Sequence, residues 1–181
     1  MKGRLKLAVA VAAVAGLVVV ATAAIAGGGS DISERLTGYE EDPATISTTG
    51  RGTFDARISQ SEERIFYRLR YADLEGDITQ AHIHFGGRHQ SGGISAFLCT
   101  NVGGPAGTQA CPPAPATVTG TIEADDVIGP TAQGIEPGAF DELLAAIRAG
   151  VTYANVHSTL YPGGEIRAQL DRDRNGEDDK R

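Results

Sequence analysis

Two histidines one residue apart, His82 and His84, lie in the segment Ala81-His82-Ile83-His84-Phe85, where apolar and imidazole side chains alternate. In an extended strand that alternation puts Ala81, Ile83 and Phe85 on one face and both imidazoles on the other, roughly 7 Å apart along the backbone. Side chains at that spacing suit two cis ligands of one transition-metal ion. His157, near the end of another strand-like segment, offers a third nitrogen, and His89, in the glycine-rich turn after the pair, is placed to reach the same region. Imidazoles without a thiolate or a firm carboxylate partner favour copper, with zinc as second choice, over calcium or magnesium. Because both side chains turn away from the core face, the expected site has an open position. Its ligands should be replaceable without loss of the fold, and its affinity should fall as pH drops through about 6.5. The alternative is that these histidines hydrogen-bond to neighbouring strands or face water.

Other residues invite chemistry less strongly. Cys99 and Cys111 flank a Gly- and Pro-rich stretch, and in an oxidising compartment they read as one disulfide closing a surface loop. The rival reading, a thiolate ligand or nucleophile, lacks an adjacent His or a C-x-x-C pair. Glu165, Arg167 and Gln169 share a strand face, as do Asn155 and His157. An acid-base role would need a pocket, so a structural polar network across strands is the expectation. Asp171, Asp173, Asn175 and Gly176 imitate the start of an EF-hand loop, but no Glu follows at position twelve and no helices flank it. No Ser-His-Asp spacing, phosphate loop or nucleotide fingerprint is present.

The elements that must position these residues are mostly strands. The clearest is residues 65–71, with Ile65, Tyr67, Leu69 and Tyr71 on one face and Arg68 and Arg70 on the other. Weaker strands are predicted at 53–59, 79–85, 94–99, 117–123, 152–158 and 165–170, with one more near 34–39. Gly-rich turns separate them at spacings suited to antiparallel pairing. The predicted fold is mainly β, an antiparallel sandwich or flattened barrel, with one amphipathic helix over 137–149. In that helix Phe140, Leu143, Leu144 and Ile147 recur at helical spacing, Pro137 suits the first turn and Gly150 the stop.

The first residues carry Lys2, Arg4 and Lys6, then an apolar run and the small residues Ala24-Ile25-Ala26. That order predicts a secretory signal over 1–26, cleaved before Gly27, with an uncleaved membrane anchor as the alternative. Without that segment, 13 basic residues face 23 acidic ones, a balance of −10 that argues against nucleic acid as a partner and against a membrane beyond the signal segment. The expected layout is a signal peptide, a flexible segment at 27–33, one domain at 34–170 and a charged disordered tail at 171–181.

Taken together, Ala81-His82-Ile83-His84-Phe85-Gly86, the strand from Gly93, Tyr153-Ala154-Asn155-Val156-His157 and Gly164-Glu165-Ile166-Arg167-Ala168-Gln169-Leu170 resemble the CHRD family over about 34–170. Ala168 stands where that family often has Gly, and the loop from Cys99 to Cys111 is a local elaboration. The resemblance implies an exported, single-domain microbial β-sandwich without an established catalytic activity. Chordin, which gives the family its name, is a secreted binding protein for growth factors, but one isolated copy does not inherit that partner. The pattern His82-x-His84 with a later His157 is also similar to the copper ligands of copper/zinc superoxide dismutases, while the bridging His and the zinc ligands have no match. The expectation is therefore a non-enzymatic, exported or envelope binding module for an extracellular protein or a metal ion. Its alternatives are a copper protein with redox or metal-handling activity at His82, His84 and His157, and a purely structural adhesion domain.

Overall fold

A computed structural model describes residues 32–171 of the chain. The predicted signal segment, most of the 27–33 segment and all but Asp171 of the predicted tail lie outside the described residues.

Period-two patterning produces eight strands: β1 (Ile32–Thr37), β2 (Arg51–Ile58), β3 (Ile65–Ala72), β4 (Ile78–Phe85), β5 (Gly93–Thr100), β6 (Ala116–Ile122), β7 (Thr152–Ser158) and β8 (Ile166–Gln169). All pairings are antiparallel, and the strands form one sheet in the order β5-β4-β7-β8-β1-β2-β3-β6. The two ends of the sheet, β5 and β6, come together, so the expected sandwich or flattened barrel takes the form of a nearly closed barrel. Tyr67 helps hold the closure: its hydroxyl donates to the Leu98 carbonyl at 2.8 Å, linking β3 to β5. Closure removes most of the unpaired strand edge that an open sheet would present.

The inner face carries the core. Ile65, Tyr67, Leu69 and Tyr71 of β3 are all buried, as the alternation requires, and they join Phe54, Ile83, Leu98, Val156 and Ile166 in a single cluster. Helix α1 (Phe140–Arg148) buries Phe140, Leu143, Leu144 and Ile147 in the same cluster. It starts later than the periodicity predicts: Ala139 is the cap, and Pro137 lies outside the helix. Gly150 ends it at φ 67°, a left-handed conformation that glycine adopts without steric cost. β1 starts at Ile32, earlier than the predicted strand near 34–39, because Ile32 is itself buried opposite Ala56 of β2.

Cys99 and Cys111 are disulfide-bonded, pinning the 101–115 loop to the end of β5. The Asn101 amide ties the same loop by donating to the carbonyls of Ile78 and Cys111. Replacing both cysteines with alanine should cost about 3 kcal/mol, the loop-entropy value for this separation, and lower Tm by roughly 10 °C. Calorimetry of the oxidised parent against the variant measures it; equal Tm values would show that the loop is held by its hydrogen bonds alone.

Candidate metal centre

The register of β4 against β7 assembles the histidines. His82 lies opposite Asn155, His84 opposite Tyr153 and Gln80 opposite His157, so all six side chains point from the outer face of the sheet. His157 therefore stands one rung along from His82. The ring centroids are 5.3 Å apart for His82 and His84, 5.0 Å for His82 and His157, and 5.9 Å for His84 and His157. One nitrogen from each comes within 4.8 Å of the others, a group that could hold a metal ion. It is the one such cluster among the described residues, and it contains no carboxylate or thiolate.

Two expectations fail here. The outer face is not wet: His82 is fully buried, and His84 and His157 are only 7% and 6% exposed. The cause is the 86–92 loop, which folds back over the sheet. Arg167 Nη2 donates to the carbonyls of Gly87 and Gln90 at 3.0 and 3.1 Å, and Gln169 donates to those of Gly86 and Gly150. Phe97 closes the β5 side, its ring edge-on to His82 at 4.3 Å. The imidazoles are thus outward-facing yet part of the interior, so the solvent exposure on which the expected open position and harmless replacement rested is absent. Nor does His89 join them. It is exposed at the loop tip in a left-handed conformation, φ 57°.

Burial is the main force on the ring charges. It pushes the His82 pKa down to about 2 and that of His84 to about 4, and it lowers His157 as well. All three are neutral at pH 7, the form that coordinates metal.

Hydrogen bonds fix the tautomers. His84 Nδ1 faces the Gly92 carbonyl at 3.0 Å, and His157 Nδ1 faces the Pro162 carbonyl at 3.1 Å; a carbonyl accepts only, so both Nδ1 atoms carry the proton. His157 Nε2 is then an acceptor, and His82 Nδ1, 3.2 Å away, donates to it. By the same accounting, Nε2 of His82 and Nε2 of His84 are bare lone pairs. Both are buried without any hydrogen-bond partner. Nδ1–H held by a backbone carbonyl with Nε2 free is the arrangement that prepares a histidine to ligate metal, and His84 has it in full; His157 Nε2 is taken up by the His82 Nδ1–H and would have to exchange that bond for a metal.

A family model described as the CHRD domain matches residues 32–170. The chain belongs to the CHRD domain family. Neither the curated proteins nor the solved structures contain a match.

Around the three histidines, this CHRD domain holds groups that sequence reading passed over. Tyr153 stacks flat on His84 at 4.7 Å, and its hydroxyl accepts from the Gly92 amide. Arg167 also lies over the Tyr153 ring, 3.5 Å from its centroid, so His84 and Arg167 both pack on this one aromatic side chain. Tyr153 was legible, since it shares its period-two face with Asn155 and His157. Glu41 was not: it follows the turn after β1, yet is buried, and accepts from the Asn155 amide at 3.3 Å. Burial raises its pKa to about 7, against the opposing pull of Asn155 and Arg167. Gly164 makes that approach possible, because a Cβ there would lie 2.6 Å from both Asn155 and Glu41. The expected network of Glu165, Arg167 and Gln169 is structural, but its partners are loops rather than neighbouring strands. Glu165 Oε1 accepts from the Thr48 hydroxyl and the Glu75 amide, fastening two loops to β8.

Proposed function

We propose that this CHRD domain is an exported, non-enzymatic binding module that holds one copper ion at His82, His84 and His157, with zinc as the competing metal. The observation that carries the reading is the pair of buried, unpartnered Nε2 lone pairs on His82 and His84, set beside a third neutral imidazole. Leaving buried polar atoms unsatisfied costs about 1–3 kcal/mol each, and a metal ion would remove that cost. A donor set of three neutral imidazoles without oxygen ligands suits copper(I) and zinc and is poor for calcium or magnesium. Enclosure beneath the 86–92 loop admits an ion more readily than a substrate, which favours ion holding over turnover. Export is supported by the basic, apolar and small-residue order of residues 1–26 and by the disulfide.

Titration of the purified protein with copper(I) against a chromophoric chelator, and with zinc, tests the site. One equivalent should bind, and His84→Ala or His157→Ala should weaken binding at least 100-fold while circular dichroism and Tm report whether each variant is folded. Should folded variants keep the parent affinity, the three histidines are a structural network and no more. Because burial depresses the ligand pKa values, binding should persist through pH 6.5 and weaken only further into acid, in contrast to exposed histidines.

A further inference from the structure

The outer face of the sheet divides into two halves. Over β4, β7 and β8 it is roofed by loops; over β1, β2, β3 and β6 it is bare. The register lays out that bare half in rows: Thr37, Arg51 and Ala72; then Arg35, Thr53, Arg70 and Thr117; then Ser33, Asp55, Arg68 and Thr119; then Arg57, Phe66 and Thr121. Five arginines and six hydroxyl side chains therefore share the face with one acid, Asp55. In a chain whose formal charge is −7, this is a marked segregation of positive charge.

The arginines are weakly committed. Arg70 pairs with Asp55 at 3.0 Å and Arg51 with Asp73, but these side chains are 46% and 67% exposed, and ion pairs so open to water hold little. Arg57 lies 5.5 Å over the Phe66 ring, and its Nε is buried without a hydrogen-bond partner. Arg35 and Arg68 have no ion pair among the described residues. Arg35, Arg51 and Arg70 line one shallow depression together with Thr53, whose hydroxyl is also buried and unpartnered. Guanidinium forks around an unsatisfied hydroxyl match an oxyanion, which Arg binds in bidentate fashion.

We propose that this face binds an anionic polysaccharide, a chain of sugars bearing carboxylate or sulfate groups. This rests on the binding-module reading and names the partner's chemistry; it does not depend on the metal. Arg51 and Arg57 are six residues apart on β2, about 20 Å, and Arg35 and Arg70 are two strand spacings apart, about 10 Å. No single small anion spans that area, whereas a linear polyanion does. The interleaved Ser and Thr hydroxyls match sugar hydroxyls between the charged groups. The face offers no free aromatic platform for nucleobases, since Phe66 lies under Arg57, and no exposed apolar side chain to enter a bilayer.

The test uses the exported protein with heparin oligosaccharide as the anionic probe and dextran as the neutral one, at several salt concentrations. Heparin should bind and dextran should not, with affinity falling as salt rises. Arg35→Gln/Arg68→Gln, which breaks no ion pair, should weaken heparin binding at least tenfold and flatten the salt dependence. Stripping metal from the parent protein with a chelator should leave heparin binding unchanged, so that failure here is separable from failure of the copper site. No binding of heparin at low salt, or binding that the Arg35/Arg68 variant does not alter, overturns the proposal. So does tighter binding to duplex DNA or to phosphatidylglycerol vesicles than to heparin.

Discussion

Replacing Arg167 with alanine should destabilise the domain by about 3 kcal/mol, from a buried carbonyl left without its donor and the lost stack on Tyr153. Arg167 is 2% exposed, and its Nη2 donates to two loop carbonyls, that of Gly87, which also accepts from the Gln90 amide, and that of Gln90. Truncation would free the 86–92 loop, open the stack on Tyr153 and remove the positive charge that opposes the rise in the Glu41 pKa. Since Gly92 in that loop holds the His84 tautomer, metal affinity should also fall, by about 10- to 100-fold as for other residues that orient a ligand. Arg167→Lys should recover only part of this, because a lysine lacks the planar stack. Urea unfolding gives the stability change, and hydrogen exchange at residues 86–92 reports the loop. Unchanged exchange there, with a folded variant, would mean the loop stands without its clamp.

Acid should unfold the metal-free protein along a slope set by opposed groups. His82 and His84 ionise in the unfolded chain near pH 6.5 but only near 2 and 4 when folded. As pH falls below 6.5 the unfolded state takes up their protons and the folded state does not, so stability is lost at about 1.4 kcal/mol per pH unit for each. His157 acts in the same direction. Glu41 acts in the other. Its folded pKa of about 7 lies above the ordinary carboxylate value of 4.5, so its contribution is present in acid and disappears as pH rises between those values. Between pH 7 and 4.5 the two histidines cost about 5 kcal/mol and Glu41 returns about 3, leaving a net loss of roughly 2 kcal/mol before His157 is added. Glu41→Gln removes the offset, so its stability should fall more steeply with acid, by about one additional proton. Urea titrations at half-unit pH steps in the presence of a chelator measure both slopes. If the variant were no steeper than the parent, Glu41 would be ionised in the fold at neutral pH.

The β class, all eight strands and the helix were readable because their signals are local. Alternation such as Ile65, Tyr67, Leu69 and Tyr71 needs no partner to be seen, and the helical spacing from Phe140 to Ile147 is likewise complete within nine residues. The family was legible for a related reason: its motifs are short runs along single strands. The element bounds were less secure, as Ile32 and Pro137 demonstrate, because buried cross-strand neighbours and actual cap geometry set them.

His82, His84 and His157 were readable as candidates by type and spacing, and their outward direction followed from the strand period. Whether His157 meets the other two was decided by tertiary structure, since it depends on the register between β4 and β7, 75 residues apart at the His82 to His157 contact. Their burial was decided there as well. A two-residue period specifies which face a side chain takes but says nothing about what later folds over that face. Here the cover is a loop drawn down by Arg167 and Gln169 of β8, and with it come the neutral rings and the fixed tautomer of His84. Sequence alone thus determined which residues are available for chemistry, through interactions between near neighbours, whereas the solvation and protonation that give them their chemistry arise from contacts between distant segments.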